Sequence, residues 1–457
     1  MTDTAWMTAN EIAAAVAAKK VSARAVVEAA LARIAARNPV LNAFIDITAT
    51  RALARADDVD AGRAGGALAG VPFAVKNLFD VAGLPTRAGS AINRERAPAG
   101  RDAALVRRLE EAGAILVGAL NMGEYAYDFT GENRHDGPSH NPHDTTLMSG
   151  GSSGGSGSAV AGGLVPLALG SDTNGSIRVP ASLCGLYGLK PTFGRLPRTG
   201  SFPFVSSLDH LGPLARSVAD LALSYDAMQG PDAEDPMCAG RPAVPVLPGL
   251  EQGIAGLRIA RAGGYFRTNL MPEAAAAVEK VATSLGVARE VELPEAARAR
   301  AAAFLITTTE AAALHLERLR ARAGDFDPDV RDRLIAGAMV PAAMVGRAQK
   351  FRRWYRDAVL RLFGEVDAIL APATPCSAPL LGQKTFVLDG VELPVRANLG
   401  IFTQPISFIG LPVVAVPVAG ALPVAVQVIT APWREDVALR IARHLEATGV
   451  AVAQRPA

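Results

Sequence analysis

The stretch that most constrains this chain runs from Ser149 to Ser176. It opens with Gly150-Gly151-Ser152-Ser153-Gly154-Gly155-Ser156-Gly157-Ser158, continues as an apolar Ala/Val segment, and closes with Gly170-Ser171-Asp172-Thr173-Asn174-Gly175-Ser176. Standing alone, a Gly/Ser run reads as a flexible linker. The context argues against that, because a helical Ala/Val run follows at once and a second glycine turn comes soon after. A phosphate loop needs a Gly-Lys-Ser/Thr ending, which is missing. A hydroxyl on a tight glycine turn is exposed to attack a substrate. Neighbouring backbone N–H groups can converge on one oxygen, the geometry of an oxyanion hole.

A serine nucleophile needs a base. None of the six histidines (His135, His140, His143, His210, His315, His444) sits in a pattern resembling a Ser-His-Asp arrangement. Lys76 is the better candidate. It follows the apolar run Val71-Pro72-Phe73-Ala74-Val75, so burial can lower its pKa toward neutrality and leave an amine able to take a proton. A strand-end lysine that merely reaches solvent is the alternative.

The rest of the chain supplies a frame. Thr8 and Glu11 have capping-box spacing before an Ala-rich helix. A second helix begins near Ser22, with Val26, Val27, Ala30, Leu31 and Ile34 on one face, and Asn38-Pro39 is expected to stop it. A third covers about Thr48 to Ala61. Strand, helix and strand then alternate through Lys76, Ala103 to Gly113, and Ile115-Leu116-Val117, which argues for an α/β sheet. Long Ala/Arg helices are expected up to Phe363. Strands return at Asp367 to Leu370, Val413 to Val418 and Val424 to Ile429. One domain over 1–457 is the reading: an N-terminal helical layer at 1–65, a core at 66–230, a helical insertion at 231–365, and C-terminal strands and a helix at 366–457.

Bulk properties exclude several classes. Half of the 457 residues are hydrophobic, enough for a large core. Lys plus Arg is 46 and Asp plus Glu is 44, so no global charge draws the chain to nucleic acid or an acidic membrane. Cys184, Cys238 and Cys376 are far apart, which fits a reducing cytoplasm rather than a disulfide framework or a Cys-ligated zinc site. Asp3 and Glu11 interrupt the start, so no signal peptide is expected. No apolar stretch is long enough to span a bilayer. No metal or other cofactor is expected.

Lys76, the GGSSGGSGS loop and Gly170-Ser171-Asp172-Thr173-Asn174-Gly175-Ser176-Ile177-Arg178-Val179-Pro180 together resemble the amidase-signature family. The landmarks Asp367 to Pro375 and Gly410-Leu411-Pro412-Val413 are similar too, so the likeness spans roughly residues 8 to 447. It implies the amidase-signature fold, a large mixed twisted β-sheet covered by helices on both faces. It also implies a catalytic triad: Ser176 attacks an amide carbonyl, and Ser152, behind a cis peptide bond, passes the proton to Lys76. By the same resemblance the N–H groups of Thr173, Asn174, Gly175 and Ser176 hold the oxyanion, and Asp172 braces the loop. Tyr125 to Thr130 wall the acyl pocket, with Tyr125 and Ala126 against the substrate.

Three positions depart from the family pattern. Asn174 replaces a usual glycine; asparagine tolerates positive φ, and its side chain could reach the substrate. Gly123-Glu124 replaces an Asp-Glu pair, and Ala425 replaces a glycine. Asn77-Leu78-Phe79-Asp80, Asp209 to Leu214 and Tyr225 to Asp232 resemble a branch that hydrolyses small acyl ureas bearing a carboxylate, with hydrolysis of oxalurate or another ureide left open, and related to the glutaminase component of tRNA-dependent amidotransferases. That relation implies a small helical partner subunit. Arg178, or else Arg352, Arg353 or Arg356, is the expected carboxylate ligand. A free-standing amidohydrolase, the glutaminase component of an amidotransferase and a non-catalytic scaffold remain open, and the intact Lys76, Ser152 and Ser176 speak against the last.

Overall fold

Apolar runs bounded by glycine, proline or polar residues pair here into one mixed sheet of eleven strands. The computed structural model describes residues 4–456; Met1, Thr2, Asp3 and Ala457 lie outside the described residues. From one edge the strands are Phe44–Ile47, Ile115–Leu120, Pro72–Lys76, Leu167–Asp172, His210–Ala215 and Tyr187–Lys190. The order continues with Val413–Val418, Val424–Thr430, Ala368–Pro372, Ile259–Ala262 and Glu290–Val291. The central strands are buried along their whole length. Cover on both faces explains why they read as nearly continuous apolar runs rather than alternating ones.

Two parallel pairings position the site. Pro72–Lys76 lies between Ile115–Leu120 and Leu167–Asp172, parallel to both, with Val75 opposite Leu169. The carboxyl ends of neighbouring strands therefore bring Lys76, Ser171 and Asp172 to one side of the sheet, where open α/β sheets form their binding crevices.

The Gly/Ser run is not a linker. Residues Gly154–Ala161 form a wholly buried helix. A Cβ on Gly155 would come within 2.6 Å of the carbonyl oxygens of Ala43 and Asn121. Ser156 donates to the Leu169 carbonyl (3.0 Å) and Ser158 to the His140 carbonyl (2.7 Å). Glycine lets this helix touch neighbouring backbone, and serine satisfies carbonyls that an alanine would leave bare.

Two expectations change. The second helix does not stop at Asn38-Pro39 but runs Ala23–Leu41, ending at Asn42 in the left-handed region (φ 47°). The Asn38 side chain gives one hydrogen bond to the Phe44 carbonyl (2.9 Å) and takes one from the Phe44 N–H (2.7 Å), which ties the helix end to the next strand. That strand, Phe44–Ile47, puts a sheet edge inside the stretch read as purely helical. Likewise 231–365 is not helical throughout. Its long helices, Ala296–Arg322 and Ala342–Leu362, are there, but Ile259–Ala262 and Glu290–Val291 extend the sheet beside Ala368–Pro372. Both are short, Glu290–Val291 is the edge strand and Ile259–Ala262 lies next to it, and pairing rather than local pattern decides them. Among the described residues no helix is long and apolar enough to cross a membrane.

Gly155→Ala should lower the unfolding free energy by about 1–3 kcal/mol, the range for overpacking, although alanine is the better helix former. Urea unfolding measures it, and a variant as stable as the parent contradicts the close-packing account.

Candidate active site

Lys76 is fully buried at its strand end. Its Nζ donates to Ser152 Oγ (2.6 Å) and Ser171 Oγ (2.9 Å). Burial brings the amine down to about 7, against the opposing pull of Asp172, Asp209 and Asp128. Its hydrogen-bond partners are hydroxyls, so no direct ion pair keeps it charged. The Gly151–Ser152 peptide is cis, as the resemblance implies. Ser171 is a second Lys76 partner that the sequence did not single out.

The turn after the Leu167–Asp172 strand presents Ser176. Gly175 has φ 145°, and a Cβ there would meet Thr403 Oγ1 at 2.2 Å, so only glycine fits. Thr403 Oγ1 donates to the Asn174 carbonyl (2.6 Å) and Thr173 Oγ1 to Asp209 (2.6 Å), pinning the turn on both sides. Asn174 does not need the positive φ allowed for it; that angle falls on Gly175. The Asn174 amide instead donates to Thr307 Oγ1 at 2.9 Å. Among the described residues the backbone N–H groups of Thr173, Asn174, Gly175 and Ser176 have no protein acceptor, whereas that of Ile177 bonds Asp172 Oδ2 (3.2 Å). Four unclaimed donors beside a serine hydroxyl can stabilise a developing oxyanion.

Arg178 lies beneath the turn and is fully buried. Nε and Nη2 grip the two Asp172 oxygens at 2.9 Å each. Nη1 reaches Gln427 Oε1 (2.6 Å) and the Thr403 carbonyl (3.2 Å), and Nη2 also reaches Ser407. All five donors of a guanidinium are thus used. Arg178 has nothing left for a substrate carboxylate, so its expected binding role is corrected to bracing. Burial alone would raise the Asp172 carboxyl, but the charge and hydrogen bonds of Arg178 outweigh it and hold the group well below the usual carboxylate range.

A cavity of about 430 Å³ opens above the turn, lined by Ser176, Thr173, Asn174 and Ala126 among others. Tyr125 does not line it. Its ring turns back onto His315 (centroids 4.0 Å apart) and Phe326, with its hydroxyl accepting from Ser90. The chain passes through two positive-φ residues here, Tyr125 (50°) and Ala126 (62°), so successive side chains part company. Glu124 is buried and holds this turn through His135 Nε2 (3.0 Å) and the Asp327 N–H (2.7 Å). Ala425 is buried in its strand, where its N–H donates to Ser182 Oγ, and does not line the cavity.

The other expected cations also lie elsewhere. Arg352 donates to the carbonyls of Phe408 (2.6 Å) and Ser207 (2.8 Å), and Arg353 and Arg356 are exposed outside the cavity. The cations that do line it, Arg333, Lys384 and Arg396, were not picked out from the sequence. They belong to segments distant from the serine loops, and no local pattern separates them from other surface arginines and lysines. Among the described residues no group of three or more His, Cys, Asp or Glu side chains is placed to hold a metal ion.

The chain matches the Amidase family profile over residues 25–439. It is 55% identical to AtzE, a 1-carboxybiuret hydrolase component of Pseudomonas sp. (strain ADP), over 96% of this chain and 98% of that one. It is 39% identical to the GatA-type chain of the glutamyl-tRNA(Gln) amidotransferase of Azotobacter vinelandii, over 96% of this chain and 97% of that one. A solved structure described as a vestigial protein complex that reveals the evolutionary origins of an s-triazine catabolic enzyme superposes with a TM-score of 0.97. The two share 54% identity, over 98% of this chain and 100% of that chain.

Removing one partner of a buried ion pair strands the other. Arg178→Met should therefore cost about 3–5 kcal/mol of stability, seen as a lower urea midpoint. A variant of parental stability whose only defect is a raised KM for an anionic substrate would restore Arg178 as a ligand.

Proposed function

The chain belongs to the amidase family, and on that footing we propose that it hydrolyses a C–N bond of a small acyl urea bearing a carboxylate, 1-carboxybiuret foremost, and releases ammonia. The observation that carries the chemistry is the buried Lys76 amine, near neutrality and hydrogen-bonded to Ser152, one strand away from the cavity that Ser176 lines. The kinship to 1-carboxybiuret hydrolase at 55% identity over nearly the whole of both chains supports the substrate class. We take the chain as a single amidase domain, because Ser176, Phe304 and Gln404, from three successive segments, line the same cavity.

Ser176 Oγ attacks the carbonyl carbon, its proton goes to Ser152, and Ser152 passes its own proton to neutral Lys76. The N–H groups of residues 173–176 hold the oxyanion. The C–N bond then breaks, the leaving nitrogen takes the proton back along the same path, and an acyl ester remains on Ser176. Water, deprotonated by the same relay, attacks that ester; the acid leaves and Ser176 recovers its proton.

A small helical partner subunit is part of the proposal, supported by the amidotransferase relatives and by the complex described for the structural neighbour. So is a cytoplasmic location, which fits three unpaired thiols. The amidotransferase kinship keeps a glutaminase as the second reading. Ammonia release from glutamine and from 1-carboxybiuret, measured side by side, separates the two: glutamine as the better substrate sinks the acyl-urea reading.

Ser176→Ala should abolish hydrolysis in a folded protein, and Ser152→Ala should lose at least about two orders of magnitude. An active Ser176→Ala enzyme would end the mechanism.

The base must be uncharged to accept a proton, so kcat/KM should rise with pH through about 7, where burial places the Lys76 amine. Lys190 is also lowered to about 7 by burial, but it donates to the carbonyls of Pro191 and Leu411 and does not line the cavity. The profile should therefore vanish in Lys76→Met. Its survival in a residually active Lys76→Met enzyme would assign the ionisation to another group.

A further inference from the structure

We infer that the Gln404 side-chain amide donates to the second carbonyl oxygen of the substrate, the one across an N–H from the carbonyl that Ser176 attacks; the inference rests on the acyl-urea reading above. Gln404 opens the short helix Gln404–Ser407 and lines the same cavity as Ser176. Its neighbour Thr403 is the residue whose hydroxyl pins the nucleophile turn. Two neutral carboxamides line that cavity, Asn174 and Gln404. Asn174 spends an N–H on Thr307 Oγ1, and its Oδ1, which has no partner, is sealed from solvent.

Gln404 is placed differently. Its Oε1 accepts from Arg300 Nε (2.9 Å), and Arg300 is itself fixed on the Ala397 carbonyl and Asn398 Oδ1, at 2.8 Å each. Arginine only donates, so the atom facing it is the oxygen, and the NH2 is the branch left over. Arg300 lines a neighbouring groove and not the Ser176 cavity, and Gln404 stands between the two. With its oxygen toward the groove, Nε2 is directed to the cavity side. Among the described residues Nε2 makes no hydrogen bond, and it is not sealed from solvent as Asn174 Oδ1 is. The residue is only 5% exposed, so packing holds the donor in place. The N–H groups of residues 173–176 are taken up by the oxygen of the attacked carbonyl. A neutral donor beside them suits the next oxygen along, and an acyl urea carries a neutral carbonyl there. Glutamine and simple monoamides lack it, so the same amide favours acyl ureas over glutamine.

The test measures how strongly oxalurate and N-carbamoylglycine inhibit hydrolysis of 1-carboxybiuret by the parent, Gln404→Leu and Gln404→Glu, with thermal melts alongside. The two inhibitors share a carboxylate and a terminal ureido group; oxalurate has the second carbonyl where N-carbamoylglycine has a methylene. Gln404→Leu removes the donor without adding charge. Gln404→Glu keeps an oxygen on Arg300 and replaces the NH2, and its charge faces an anion in both cases. The parent should bind oxalurate more tightly. In both variants that advantage should shrink about 2- to 12-fold, the span of one neutral hydrogen bond. Binding of N-carbamoylglycine to Gln404→Leu should stay at the parental value. If one variant does not fold, the other carries the test. A parent that binds the two inhibitors equally, or an unchanged advantage in a folded variant, overturns the assignment; loosened packing would weaken both inhibitors together and leave their ratio as it was. A parent that does not hydrolyse 1-carboxybiuret overturns the acyl-urea reading itself, which is a different result.

Discussion

The Asp172 carboxylate ties together pieces of chain that lie far apart in sequence. It ends a central strand, accepts the Ile177 N–H just past the nucleophile turn, and grips Arg178 with both oxygens. Arg178 in turn reaches Thr403, Ser407 and Gln427, far along the chain. A fully buried ion pair is a poor source of net stability, because desolvating both charges offsets their attraction. What it supplies here is position. A turn whose four N–H groups find no protein acceptor among the described residues is not held by its own backbone, so it is held from below.

Two buried cations near Asp172 meet different fates. Arg178 has the carboxylate as a direct, bidentate partner and spends every donor on it and its neighbours. Lys76 has hydroxyls in contact and carboxylates only at longer range, so burial prevails and its amine falls to about 7. Asp172, Asp209 and Asp128 still pull that value upward, which keeps the lysine near neutral pH rather than far below it. A group poised there can accept a proton and give it back.

The cavity wall repeats the logic with ions at its edge. Arg396 sits among three carboxylates and is a strut. Arg333, a short way off, is held by the carbonyls of Asp329 and Tyr127 and by the Tyr127 ring, and forms no ion pair among the described residues. Two arginines of identical chemistry are thus separated in role by what surrounds them, which no count of charged residues reveals.

Much of the candidate site was legible in the chain itself. Lys76, Ser152, Ser176 and Asp172 announce themselves because glycine turns, apolar strands and serine hydroxyls are local patterns, and local patterns are what a sequence records directly. The central strands are legible for the same reason: burial on both faces leaves unbroken apolar runs. The sequence could not say that Tyr125 faces inward to His315, that Arg178 is saturated, or that the positive φ falls on Gly175 rather than Asn174. Nor could it say that Ile259–Ala262 and Glu290–Val291 join the sheet, or that Arg333 is anchored by the carbonyls of Asp329 and Tyr127. Each of these depends on which distant groups arrive within hydrogen-bonding reach. Pairing energies are set at about 3 Å between residues that can lie hundreds of positions apart, so only the tertiary structure decides them.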